Sequence, residues 1–167
     1  MTTHQPSTPA RFDVVGIGNA LVDVLGSEPD DFLAGHGLVK GSMTLIDTDT
    51  AEALYGAMGA KTEMSGGSAA NTLSGVASFG GRAAYIGRVR DDDLGSSFGH
   101  DLRSLGVHFS DRQATDGDPT GRCMIVVTPD AQRTMNTYLG ASAALGTDDL
   151  DLDLVADAHI TFLEGYL

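Results

Sequence analysis

This sequence is short of positive charge and of cysteine. Lysine and arginine number 10 against 23 acidic residues, a net charge of −13. A surface of that sign repels phosphate backbones, which argues against nucleic acid or an anionic membrane as a partner. A local phosphate site is still allowed, because main-chain dipoles act at short range. The single cysteine, Cys123, rules out an internal disulfide and fits a reducing compartment. No apolar run reaches the length of a membrane span. Residues 1–11 are polar, carry Pro6 and Pro9 and lack an apolar signal core, so they read as a disordered tail and the protein as cytoplasmic. The five histidines have no metal-ligand spacing. The acidic run from Asp148 to Asp157 lacks the glycine and closing glutamate of a calcium loop. No residue is assigned to a metal.

What is present fits one ordinary domain: 167 residues, 41% hydrophobic and 20% charged, enough for a sizeable core. Phe12–Gly18 is a β-rich run ending in glycines and reads as a buried first strand. Ser42–Ile46 reads as another strand. Asp49 with Glu52 resembles a capping box for a helix over Ala51–Met58. An alanine-rich helix follows Ser68, with Leu73, Val76, Ala77 and Gly80 on one face. Ala83–Gly87 is a strand. Asp91-Asp92-Asp93 opens a helix whose Leu94, Phe98, Leu102 and Leu105 recur at helical spacing. The pattern then changes. Gly121–Thr128 and Arg133–Leu139 flank the turn signal Pro129-Asp130 and form a hairpin. A short acidic helix over Asp148–Val155 precedes a last strand at Ala158–Leu163. Strand–helix alternation implies a mostly parallel sheet with right-handed crossovers, and the hairpin implies a separate small sheet.

Three stretches carry candidate chemistry. Gly16-Ile17-Gly18 after a strand invites a dinucleotide reading, but Leu21 stands where the fingerprint needs its third glycine. Asp23, just beyond the first strand, sits where open α/β sheets bind ligands. A carboxylate there accepts two hydroxyl hydrogens from a vicinal diol, and it also reads as an ordinary loop aspartate. In Met64–Asn71, Gly66 and Gly67 allow close approach of a ligand to the backbone. Ser65 or Ser68 supplies a helix cap, and free N–H groups at the helix start favour a polar or anionic ligand. Asn71 can donate and accept toward a sugar hydroxyl. The same stretch also reads as a glycine turn feeding a packed helix. Cys123 lies inside an apolar strand and reads as a core residue.

Taken together, Gly18-Asn19-Ala20-Leu21-Val22-Asp23, Gly66-Gly67-Ser68-Ala69-Ala70-Asn71 and the glycine-rich run from Gly80 to Gly95 resemble the ribokinase or PfkB family of carbohydrate and nucleoside kinases. Thr120-Gly121-Arg122-Cys123, with Arg133 across the hairpin, is most similar to the adenosine-kinase branch. Arg90 and Leu73 depart from the common pattern, which has glycine and a small residue there. The resemblance implies an α/β, ribokinase-like parallel-sheet domain over residues 12–167 with a small β-sheet lid built from about 42–46, 61–64 and 121–139. It implies transfer of the γ-phosphate of ATP, with Mg2+, to the hydroxymethyl group of a sugar or nucleoside. By position Asp23 holds the diol, Asn19 supports it, and Gly66, Gly67, Asn71 and Arg133 complete the substrate-binding set. It also implies a homodimer through the lid.

The family's second signature, Asp-Thr-x-Gly-Ala-Gly-Asp, supplies the catalytic base and anion hole. Asp47-Thr48-Asp49-Thr50 lacks its glycines, so no catalytic residue is assigned and the base is expected beyond Leu167. The expectation is a C-terminally truncated domain carrying the acceptor half of the site, inactive and poorly stable alone, with ATP and Mg2+ bound mainly elsewhere. Two other classes stand beside it: an NAD-dependent oxidoreductase built on Gly16-Ile17-Gly18, and a non-catalytic sugar-binding module.

Overall fold

The computed structural model describes residues 10–110 and 112–166. Phe12–Ile17 forms strand β1. Gly18-Asn19-Ala20 then leads directly into a second strand, β2, at Leu21–Ser27. This strand and the short helix α1, Asp30–Gly35, were not expected from the sequence. The chain continues through β3, Met43–Leu45, α2, Thr48–Ala57, β4, Lys61–Gly66, and α3, Ser68–Ser78. Next come β5, Ala83–Ile86, α4, Asp93–Ser104, and β6, Val107–Phe109. The hairpin strands are β7, Gly121–Val127, and β8, Arg133–Tyr138. Two short 3-10 turns and helix α5, Leu152–Ala156, lead into β9, Ala158–Leu163.

The strands sort into two sheets. One is four-stranded in the order β6-β5-β1-β9, with every neighbour parallel. The other is five-stranded in the order β3-β8-β7-β2-β4. It mixes parallel β2–β7 and β3–β8 pairs with antiparallel β2–β4 and β7–β8 pairs. The expected strands at 42–46, 61–64 and 121–139 all join this second sheet, with β2 running between β7 and β4.

Each helix has a local cause. Asp47, rather than Asp49, caps α2 by accepting the N–H of Thr50 at 2.8 Å. Asp92 caps α4 through the N–H of Gly95 at 2.8 Å, and the same carboxylate accepts the N–H of Thr120 at 2.9 Å, anchoring the entry to β7. Gly80 takes a φ of 86° just past α3, where a left-handed residue ends the helix cheaply. Leu73 of α3 and Phe98 and Leu102 of α4 bury one face of the parallel sheet against Tyr85, Val107 and Phe109. Each such side chain contributes about 1.5–3 kcal/mol. Val15, Ile17, Ala84 and Ile86 fill the opposite face together with Leu154 of α5.

Most of the expected tail falls on residues 1–9, outside the described residues. Ala10 and Arg11 are described, and the Ala10 carbonyl accepts from Arg82 at 2.8 Å. Among the described residues no helix is long and apolar enough to cross a membrane.

Candidate acceptor site

Asp23 lies within β2, not in a loop after the first strand. Side chains alternate between the two faces of a strand, and the pairing register therefore fixes its neighbours. Met64, Asp23, Cys123, Thr137 and Leu45 stand in one row across the five-stranded sheet. The next row on that face holds Thr62, Leu25, Ile125, Met135 and Met43. Val22, Val24 and Met124 point the other way and pack on Ala51, Leu54 and Met58 of α2 and its end. The Asp23 face keeps large apolar side chains open: Met43, Leu45 and Met64 are 49%, 60% and 43% exposed. Burial pushes the Asp23 carboxyl up to about 6, partly countered by the charge of Arg133. Arg133 stands further along the same face, opposite Val127.

The glycine pair is shaped by its neighbours. A Cβ on Gly66 would overlap the carboxylate of Asp23. Gly67 has a φ of 92°, and a Cβ there would lie 2.5 Å from the main-chain oxygen of Asn19. The structure thus brings Asn19, Asp23, Gly66 and Gly67 into contact range. The Asn19 side-chain amide donates to the carbonyl of Tyr166 at 3.0 Å. Asn71 follows on the first turn of α3, with its N–H bonded to Gly67 at 3.0 Å and its side chain exposed.

The start of α3 differs from expectation. Neither Ser65 nor Ser68 is the N-cap; that position is Gly67, which has no side chain to cap with. Glu164, just past β9, does the capping. It is 7% exposed. One carboxylate oxygen accepts the N–H of Asn19 at 2.7 Å, and the other accepts the N–H of Ala69 at 2.9 Å and the hydroxyl of Ser68. The N–H of Ala69 is thus already taken by a protein carboxylate. Glu164 stands in no local motif of the sequence. The available signal was an acidic residue at the end of a parallel strand, the same signal that marked Asp23.

Topology points to the same place. From β1 the parallel sheet extends one way through β5 and β6 and the other way to β9. Ligands of open α/β sheets bind at the carboxyl ends of the strands flanking such a reversal. Those ends are Gly18-Asn19 and Glu164. A Cβ on Gly18 would lie 2.6 Å from the Glu164 carboxyl carbon, and the buried Tyr85 hydroxyl donates to the Gly18 carbonyl at 2.8 Å.

The dinucleotide reading fails on this geometry. A dinucleotide fingerprint needs a helix straight after its first strand. Here β1 is followed by strand β2, and Gly16 is packed under Leu73. Cys123 is buried and its thiol is pushed up to about 11 by that burial, as suits a core residue. Among the described residues no three His, Cys, Asp or Glu gather to hold a metal ion.

A parallel α/β sheet joined to a five-stranded mixed sheet at the carboxyl end of β1 defines a ribokinase-like fold. The chain belongs to the pfkB family of carbohydrate kinases, whose family model matches residues 41–167. It is similar to the crystal structure of adenosine kinase from Sinorhizobium meliloti, with 53% identity and a TM-score of 0.87, covering 95% of this chain and 48% of that one. A probable sugar kinase from Rhizobium etli CFN 42 matches at 51% identity and a TM-score of 0.87, again over 95% of this chain and 48% of that one. Guanosine-inosine kinase of Escherichia coli K12 is 29% identical over 162 residues, which is 92% of this chain and 37% of that protein. The chain therefore spans about half the length of these structures and 37% of the length of that curated relative.

Proposed function

We propose that the chain supplies the acceptor-binding part of an ATP-dependent phosphotransferase acting on the hydroxymethyl group of a sugar or nucleoside. Adenosine or a related ribonucleoside is the favoured acceptor. The observation that carries this reading is the half-buried Asp23 carboxylate lying in the space that Gly66 leaves open, on an apolar sheet face. In it, Asp23 accepts both hydroxyl hydrogens of a ribose diol, in charge-assisted bonds worth roughly 1.5–3 kcal/mol each. Gly66 and Gly67 keep the backbone bare for the sugar. Asn19 supports that turn, and Asn71 and Arg133 offer further polar contacts.

The exposed Met43, Leu45 and Met64 favour a nucleoside over a free sugar. A free sugar has no flat apolar surface to cover them, whereas a nucleobase does, and methionine adapts well to such a face. Similarity to an adenosine kinase of Sinorhizobium meliloti and a guanosine-inosine kinase of Escherichia coli supports the same acceptor class. Kinases of the pfkB family use ATP and Mg2+, and in this reading both bind mainly outside residues 12–167, where the catalytic base also lies. We further propose a cytoplasmic location, a lid formed by β2, β3, β4, β7 and β8 on a domain running from residue 12, and pairing of two copies through that lid.

Calorimetry and a coupled ADP-release assay on the full-length gene product test this. The expected result is adenosine binding tighter than ribose, and ATP turnover only with acceptor present. Acceptor binding without turnover would favour a non-catalytic binding module. Absence of both would overturn the proposal.

A further inference from the structure

The cap of α3 has been moved away from the helix. A serine or aspartate at the N-cap normally satisfies the first free N–H groups. Position 67 cannot carry one, because its φ is 92° and any Cβ would press on the Asn19 carbonyl oxygen. Gly66, one residue earlier, is held bare by Asp23. Glu164 fills the gap from 95 residues downstream of Ala69. Burying a carboxylate is costly unless its oxygens are bonded, and these are bonded to three protein donors. Those donors belong to two segments. Asn19 leads into β2 and hence to Asp23, while Ser68 and Ala69 follow directly on the Gly66-Gly67 turn.

We propose that Glu164 is a positioning residue of the acceptor pocket, clamping the β1–β2 connection to the first turn of α3 and so setting Asp23 against Gly66 and Gly67. It acts through Asn19 and α3 and does not touch the acceptor. The inference rests on the acceptor-site reading above. Glutamine at this position keeps the shape but, in either orientation, turns an NH2 group toward one or more of the N–H donors. The clamp opens on one side without leaving a cavity.

The test is steady-state kinetics on the full-length protein for Glu164→Gln, Ser68→Ala and the double variant, varying acceptor and ATP separately, with thermal midpoints alongside. Glu164→Gln should raise the acceptor KM roughly 10- to 100-fold, the range for losing a charged hydrogen bond and misplacing a binding group. The ATP KM should stay unchanged. Ser68→Ala should move the acceptor KM the same way by less, and the double variant should be no worse than Glu164→Gln. A lowered thermal midpoint with normal acceptor kinetics would reduce Glu164 to a fold-stabilising role and overturn the proposal. Loss of acceptor affinity in Glu164→Gln with wild-type behaviour in Ser68→Ala would also overturn it, because the carboxylate would then be meeting the acceptor itself. If Glu164→Gln does not fold, Ser68→Ala alone decides: a normal acceptor KM refutes the clamp. A wild-type protein that neither binds nor phosphorylates any acceptor refutes the site reading instead, before any variant is compared.

Discussion

Asp23 and Gly66 share one volume: the carboxylate of the first occupies the space that any side chain on the second would need. The two residues sit on neighbouring antiparallel strands, on the same face and one step diagonal to each other. The φ of Gly66 is not in the left-handed region, so its backbone accepts alanine. Gly66→Ala should therefore act on the site more than on the fold. The expected outcome is acceptor binding weakened about 10- to 100-fold as the carboxylate is pushed aside, with stability changed by less than about 1 kcal/mol. Calorimetric titration with adenosine and a denaturant melt check the two halves of this claim.

Gly67→Ala should fail in the other manner. The left-handed backbone and the nearby Asn19 oxygen each resist a Cβ, and the obstacle is main chain rather than a movable side chain. A strained residue of this kind costs on the order of 1–3 kcal/mol, before any displacement of Asn19. A clear fall in the midpoint of chemical unfolding is expected. An unchanged midpoint would show that the turn adjusts freely.

The buried carboxyl of Asp23 makes both binding and stability depend on pH. Its pKa is raised from 3.8 to about 6 in the folded chain, so the native state binds the proton more tightly than the unfolded state. Stability should then fall as pH rises from about 4 to about 6 and level off above that, by on the order of 3 kcal/mol for two pKa units. Acceptor affinity should move oppositely, rising through pH 6 as the diol-accepting carboxylate forms. Asp23→Asn should flatten the stability profile and raise the melting temperature at pH 8, while weakening acceptor binding. Melts and titrations across pH 4–8 on both proteins give the answer, and parallel profiles for the two would contradict the assignment.

Strand β9 is an edge of the parallel sheet, and its Ile160 and Leu163 are 59% and 61% exposed. An open strand edge carrying apolar side chains pairs readily with another chain. Residues 1–167 prepared alone should self-associate, and Ile160→Lys should reduce that association. Sedimentation velocity of the two preparations is the measurement, with two equal monomers as the contrary result.

Most of the parallel half of the fold was legible because its strands and helices follow their own periods; β6, with three residues, is too short to show one. Leu94, Phe98 and Leu102 announce α4, and the aspartates before them announce its start. The hairpin was legible from Pro129-Asp130 between two β-branched runs. Strand β2 was not, because Asp23 and Gly26 interrupt it and Leu25 turns to the same open face as Asp23, so hydrophobic alternation disappears. The site divides along the same line. Gly66, Gly67 and Asp23 stood out as local patterns. Glu164 did not, since its partners lie 95 to 145 residues earlier and no spacing rule connects them. The helix cap was misplaced onto serines for a related reason: local capping rules do not foresee a cap arriving from another strand.

The parallel pairing of β2 with β7 joins Leu21 to Gly121 and keeps that offset of 100 residues along the strand. β1 gains β5 sooner, Val14 pairing with Ala83, but meets its other neighbour only when Phe12 pairs with Ala158. On a ribosome adding about 5–20 residues per second, β2 emerges some 5–20 seconds before its central neighbour exists. During that interval its only sheet partner is β4, and Val22 and Val24 have α2 to cover them but no β7 alongside. The nascent chain thus carries an unpaired strand edge until β7 is made, and a holding chaperone has its best opportunity in the window between the release of β4 and the release of β7.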